Sequence, residues 1–137
     1  MTGWRSGSVL RQPLLAALHL AMLATGIAAL LQGAAAFGWG PDIGALHVIA
    51  VAGVGGMILA VMSRATLAQT GRPLVAPRPV ALAYALLPVA AVARWGAAQL
   101  PELYDLGMLL AAGLWGLAFA LFALSYAPAF FGPRKSP

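Results

Sequence analysis

Residues 14–37 read LLAALHLAMLATGIAALLQGAAAF, and polarity enters this stretch only at His19, Thr25 and Gln32. Twenty-four nearly unbroken apolar residues exceed the roughly 20 that a helix needs to cross a bilayer. Three further stretches have the same character: about Ile43–Met62, interrupted by His47; about Val80–Leu100, with Arg94 and Gln99; and about Leu106–Tyr126, with one serine. Backbone N–H and C=O groups have no water to bond in hydrocarbon, so such segments must pair internally as helices. No stretch alternates with period two, which argues against a barrel. The expected fold class is therefore all-α: a polytopic transmembrane four-helix bundle. It forms a single integral membrane domain over residues 1–137, with spans at approximately 14–37, 43–62, 80–100 and 106–126.

Breakers fall between these spans. Pro13 can open the first helix, and Gly38-Trp39-Gly40-Pro41-Asp42 supplies a tight first turn. Pro73, Pro77 and Pro79 bracket the middle loop, Pro101 ends or kinks the third helix, and Pro128 is expected to follow the fourth. An alternative makes the first stretch a cleaved signal peptide with Ala34-Ala35-Ala36 at its end. The run is far longer than the usual 7–15-residue apolar region of such peptides.

Composition agrees with a membrane protein. Of the 137 residues, 62% are hydrophobic and 8% are charged, against roughly 25% charged in soluble domains. That excludes a conventional soluble enzyme and a disordered tail, and it disfavours a nucleic-acid binder, whose cations line a solvated face. There is no cysteine, so disulfides, thiolate metal sites and covalent c-type haem attachment are excluded. The net charge of +5 is a matter of topology. Arg5 and Arg11, then Arg64, Arg72 and Arg78, then Arg134 and Lys135 flank one side of a four-span path. Asp42, Glu102 and Asp105 flank the other. Seven of eight cations on one side place both termini and the middle loop in the cytoplasm by the positive-inside rule. The implied location is a membrane, with the lipid bilayer as the first partner.

Only His19, His47 and Arg94 are ionisable within the spans. Such groups are costly in lipid and each is a candidate functional residue. Neutral imidazole suits haem iron or copper. Counted from the turn near Gly40, the histidines differ in depth by about 14 residues, or roughly 21 Å for untilted helices. A metal sits about 2 Å from each ligand, so the two cannot share one ion within a chain. Either two sites exist, one near each face, or partner chains complete them. The plain alternative is a hydrogen-bonded packing residue at each position. Arg94 falls near the level of His47. It can pair with Glu102 or Asp105, snorkel outward, or contact an anionic ligand such as a haem propionate.

Small residues set up close helix contacts. His19, Gly26 and Gly33 recur every seven residues on one face, open to a flat ring or to another helix. Ala52, Gly56 and Ala60, and likewise Ala112, Gly116 and Ala120, form small-xxx-small ladders. Met57 and Met62 can meet soft copper or simply fill space. Trp4, Trp39, Trp95, Tyr84, Tyr104 and Tyr126 lie mostly near helix ends, as in an interfacial belt. No nucleotide-binding loop, Ser/His/Asp grouping or paired carboxylate within a span is present, so hydrolase and proton-pump chemistry lacks its parts.

The stretch Leu46–Leu74, LHVIAVAGVGGMILAVMSRATLAQTGRPL, resembles the C-terminal part of the NnrS family, polytopic bacterial membrane proteins of the nitric-oxide response. His47, Gly53, Gly56, Met57, Met62, Arg64, Thr70, Gly71 and Arg72 match the family pattern in type and order. Upstream, Trp4-Arg5, Pro13-Leu14 and Leu18-His19 resemble a second family segment. Two departures stand out. Ala68-Gln69 replaces the Gly-His that precedes Thr-Gly-Arg in the family, so a histidine is absent at Gln69, and Ala21-Met22 replaces an aromatic pair. Full-length members have about three times as many helices and are described as containing haem and copper. The resemblance implies that this chain corresponds to the last four spans, as a fragment or as a short relative that self-associates or joins another membrane subunit. It implies haem b or copper at His19 and His47, with Arg94 as a further cofactor contact, in nitric-oxide or nitrosative-stress tolerance. With no acid/base or nucleophilic group beside the histidines, binding is expected rather than catalytic turnover. Two alternatives remain: a cofactor-free structural or assembly subunit, and a small b-type cytochrome, which needs two axial ligands at one depth.

Overall fold

The computed structural model describes residues 12–132. Trp4, Arg5, Arg11, Arg134 and Lys135 lie outside the described residues. Four long helices run up and down: α1 (Pro13–Ala36), α2 (Asp42–Gln69), α3 (Arg78–Gln99) and α4 (Tyr104–Phe130), with a short 3₁₀ turn at Pro101–Leu103 before α4. All four are long and apolar enough to cross a membrane. Their outward faces carry large apolar residues such as Leu30, Leu109 and Leu124, each more than 70% exposed. Such a surface suits hydrocarbon and would be a liability in water.

Local chemistry explains where each helix starts and stops. Pro13 occupies the first turn of α1, where its missing N–H costs nothing. α1 ends in a Schellman turn: Gly38 N donates to Ala35 O (2.9 Å) and Trp39 N to Ala34 O (2.9 Å). Gly38 takes φ +82° there, a conformation that glycine adopts without strain. Asp42 opens α2 at its positive end, and the Gln32 amide of α1 donates to its carboxylate. α2 is α-helical over Asp42–Val48, widens to a π-helix over Ile49–Val54, and returns to α-helix over Gly55–Gln69. It runs well past Met62, because Ser63, Thr66 and Leu67 remain buried against the bundle.

The family-type Thr70-Gly71-Arg72 motif is a second Schellman turn. Gly71 N donates to Ala68 O (3.3 Å) and Arg72 N to Leu67 O (2.9 Å), with Gly71 at φ +67°. The Arg72 side chain reaches across the bundle, and its Nη2 donates to Pro128 O of α4 at 3.2 Å. A cation therefore sits on the carbonyl end of α4. Pro128 lies inside α4, which continues to Phe130; it does not follow the helix, as its sequence position led us to expect. A proline in the last turn removes one hydrogen bond, to the Leu124 carbonyl, where the ladder is about to end anyway.

α1 pairs with α2 and α3 with α4 to a comparable extent, and these two antiparallel pairs form the bundle. The principal core, toward the middle-loop end, includes Leu14, Leu59, Val80, Leu87, Phe122 and Tyr126. A smaller cluster of Ala24, Ala52 and Ala91 lies toward the other end. Tyr84 and Tyr126 belong to the principal core, at 6% and 1% exposed, and so depart from the interfacial belt expected of them. Their rings supply apolar area that alanine-rich neighbours lack, and Tyr126 packs edge-on to Phe122 at 5.0 Å.

Candidate functional site: two histidines and a buried arginine

Helix register fixes the depth of each candidate residue. A Cβ at Gly53 would lie 2.7 Å from Thr25 Oγ1, and one at Gly56 would lie 3.3 Å from Ala21 Cβ. These close approaches make α1 and α2 antiparallel neighbours, with Ala21 opposite Gly56. Extended along both helices, this register puts His47 level with about Leu30 on α1. His19 lies about 11 residues away in depth, or roughly 17 Å. The structure thus shortens the sequence-based separation but keeps the two imidazoles well beyond a shared ion.

Both imidazoles are held in the same way. His19 Nδ1 lies 2.8 Å from Leu15 O, and His47 Nδ1 lies 2.6 Å from Ile43 O. A carbonyl oxygen only accepts, so each Nδ1 must carry the proton. In the neutral form of either ring, Nε2 then keeps a lone pair that has no hydrogen-bond partner among the described residues. A backbone carbonyl that fixes the tautomer and ring orientation is one of the partners, with carboxylates and water, that a metal-bound histidine uses on its other nitrogen. His19 is exposed on the outside of the bundle, and His47 is half-buried.

Arg94 sits at the level of His47. Gly44 of α2 faces Trp95, and Ala52 clusters with Ala91; interpolation between these contacts brings Arg94 opposite about His47. It neither snorkels nor forms an ion pair among the described residues. It is 6% exposed, its Cζ stands 5.5 Å from the centroid of the Tyr104 ring, and its Nη1 is buried without a hydrogen-bond partner. A cation over an aromatic face is partly compensated. A buried guanidinium nitrogen with no acceptor retains capacity for one more anionic or carbonyl oxygen.

The remaining candidates divide by environment. Gly53 and Gly56 are buried because α1 passes over them, and Ala52 and Ala60 complete that packed ladder. Met57 is half-buried, while Met62, Arg64 and Gln69 are exposed. Thr70 donates to Thr66 O at 2.6 Å. Thr70, Gly71 and Arg72 therefore serve the α2 terminus. The face of α1 that carries His19, Gly26 and Gly33 points out of the bundle, and nothing lies within 4 Å of a Cβ at either glycine. The Ala112, Gly116 and Ala120 ladder also faces outward, and α4 packs instead through Ala111, Ala118 and Phe122.

Two features escaped the sequence reading. Nothing local marked Arg72 as the cap of a helix 56 residues later. Pro88 lies inside α3, beside an apolar groove of about 120 Å³ whose walls include Leu20, Ala52 and Ala91. The internal proline was the available signal for that irregularity. Among the described residues, no group of three or more His, Cys, Asp or Glu side chains could hold a metal ion.

Comparison with known proteins finds a family model, NnrS protein, that matches residues 1–134. Neither the curated proteins nor the solved structures contain a match to the chain. With nearly its whole length covered, and with four helices of membrane-spanning length, this multi-pass membrane protein belongs to the NnrS family.

Proposed function

We propose that the chain acts in the nitric-oxide or nitrosative-stress response of the bacterial inner membrane by binding haem b or copper through His19 and His47. The observation that carries this reading is the matched pair of Nδ1 contacts to Leu15 O and Ile43 O, which leaves both Nε2 lone pairs available. Each level offers one imidazole and no cluster of further ligands among the described residues. One protein ligand suffices for haem, whose porphyrin supplies four nitrogens; copper requires further ligands beside each imidazole. Such a centre, when bound, supplies a metal that coordinates diatomic gases.

The chain's own residues contribute binding and orientation. The backbone carbonyls set the two tautomers. Arg94, at the level of His47 and short of one acceptor, is suited to an anionic group such as a propionate. No acid/base or nucleophilic side chain accompanies the histidines, so binding is favoured over turnover. The charge distribution supports an orientation with both termini in the cytoplasm.

A cofactor-free structural or assembly subunit is a second reading, favoured by the outward glycines. Gly26, Gly33, Gly113 and Gly116 all face open space, and an exposed His19 in hydrocarbon gains from a neighbouring helix. This favours self-association or docking on another membrane subunit. The visible spectrum of protein purified from haem-replete, copper-supplemented cells, with iron and copper analysis, separates the readings. A Soret band or near-stoichiometric copper supports the first. A colourless, metal-free protein sinks it and leaves the second.

A further inference from the structure

We propose that the groove between α1 and α2 at the middle-loop end binds an anionic phospholipid, with the Arg64 guanidinium on its phosphodiester. The groove has a volume of about 230 Å³. Gln12, Arg64 and Leu74 stand at its mouth, and Leu15, Leu18 and Ala60 line it further in. Ala60 lies one helical turn from Arg64 toward the bundle centre, so the groove descends roughly 6 Å. It passes from a polar rim into an apolar slot, the profile of a lipid headgroup with the first methylenes of its chains.

Charge identifies the occupant. All three acids of the chain, Asp42, Glu102 and Asp105, belong to the turns at the opposite end of the bundle. Arg64 is exposed, and among the described residues its guanidinium makes no hydrogen bond or ion pair. Arg72, at the same end, is engaged with Pro128 O. Among the described residues this end of the bundle supplies no carboxylate, which leaves Arg64 open to an anion from outside the fold. At a bilayer surface the abundant anion is a lipid phosphate, and basic pockets between transmembrane helices are the sites that hold such headgroups. A guanidinium binds two phosphate oxygens at once, which a freely rotating ammonium does not. The positive end of α1, beginning at Pro13, adds a favourable field at the same rim. The leucine and alanine walls favour a diacyl lipid over a free phosphate ion.

The proposal rests on membrane insertion but not on a bound cofactor, because neither His19 nor His47 lines the groove. Resistance of the protein to carbonate extraction from membranes reports insertion separately. The full chain, purified in an uncharged maltoside detergent, is unfolded thermally with added phosphatidylglycerol, phosphatidylcholine of the same chains, or inorganic phosphate at matched ionic strength. Phosphatidylglycerol is expected to raise the midpoint by roughly 5 °C or more, and the other two by far less. Arg64→Gln should raise the phosphatidylglycerol concentration for half-maximal effect at least tenfold. Arg78→Gln, at the same end but outside the groove, should leave it unchanged. Leu15→Trp, which fills the slot and keeps the charge, should also lose the response. It decides the matter if Arg64→Gln fails to fold by circular dichroism. Equal stabilisation by phosphatidylcholine, a full response to inorganic phosphate alone, or equal losses in Arg64→Gln and Arg78→Gln would overturn the proposal.

Discussion

Replacing Gly107 with alanine should separate α3 from α4, whereas the same change at Gly116, on the same helix, should not. A Cβ at Gly107 would stand 2.5 Å from Ala97 Cβ, 3.2 Å from Ala93 O and 3.3 Å from Ala97 Cα. Comfortable carbon contacts begin near 3.5 Å, so the helices must part by about 1 Å. The obstructing atoms are backbone or directly attached to it, and no flexible side chain can yield. Overpacking of this kind costs about 1–3 kcal/mol, and the rigid surroundings favour the upper end. Alanine recovers about 1 kcal/mol of helix propensity over glycine. The net expectation is a loss of about 2 kcal/mol at Gly107. At Gly116, where nothing lies within 4 Å, only the propensity gain of up to about 1 kcal/mol remains. Thermal unfolding in detergent, followed by circular dichroism, should show Gly107→Ala falling by roughly 5–10 °C and Gly116→Ala unchanged or higher. Wild-type stability in Gly107→Ala would refute the close α3–α4 crossing. A loss confined to Gly116→Ala would show that the outer face of α4 is covered by another helix.

Further predictions concern the cations and the topology. Arg72→Gln loses the charged hydrogen bond to Pro128 O and should lower stability by about 1–2 kcal/mol, with the unfolding midpoint as the readout; no change would argue against the α2–α4 cap. Arg94→Met removes a buried guanidinium that lacks a full set of partners. It should leave stability unchanged or improved, and a loss above about 2 kcal/mol would mean that Arg94 is paired. A cytoplasm-active reporter fused after Pro137 should be functional, while a periplasm-active one in that position should be silent; the reverse pattern would invert the assigned orientation.

The fold was legible because span length and internal hydrogen bonding leave helical membrane segments few alternatives. Length and apolarity located the helices, but neither says which face of a helix meets its neighbour. The Ala52-Gly56-Ala60 ladder packs against α1, while the similar Ala112-Gly116-Ala120 ladder faces outward. Small residues permit close approach without specifying the partner. Tyr84 and Tyr126 illustrate the same limit, since tyrosine serves equally at an interface and in a core that needs volume. Of the candidate site, residue types and depths were readable, and the register refined the depth difference between the histidines. The Nδ1 contacts, the burial of Arg94 against Tyr104 and the capping role of Arg72 arise from side-chain rotamers and tertiary contacts. The last two are tertiary and not encoded in local spacing, whereas each Nδ1 contact is an i to i−4 contact within its own helix.

The most direct test of the account is the Soret absorbance and metal content of protein from haem-replete, copper-supplemented cells, compared among wild type, His19→Ala, His47→Ala and the double variant. Because the histidines lie roughly 17 Å apart in depth, the account predicts that each single variant loses its own share of bound cofactor and that the double variant loses all of it. A double variant that retains the wild-type spectrum and metal content would contradict the claim that His19 and His47 hold the cofactor.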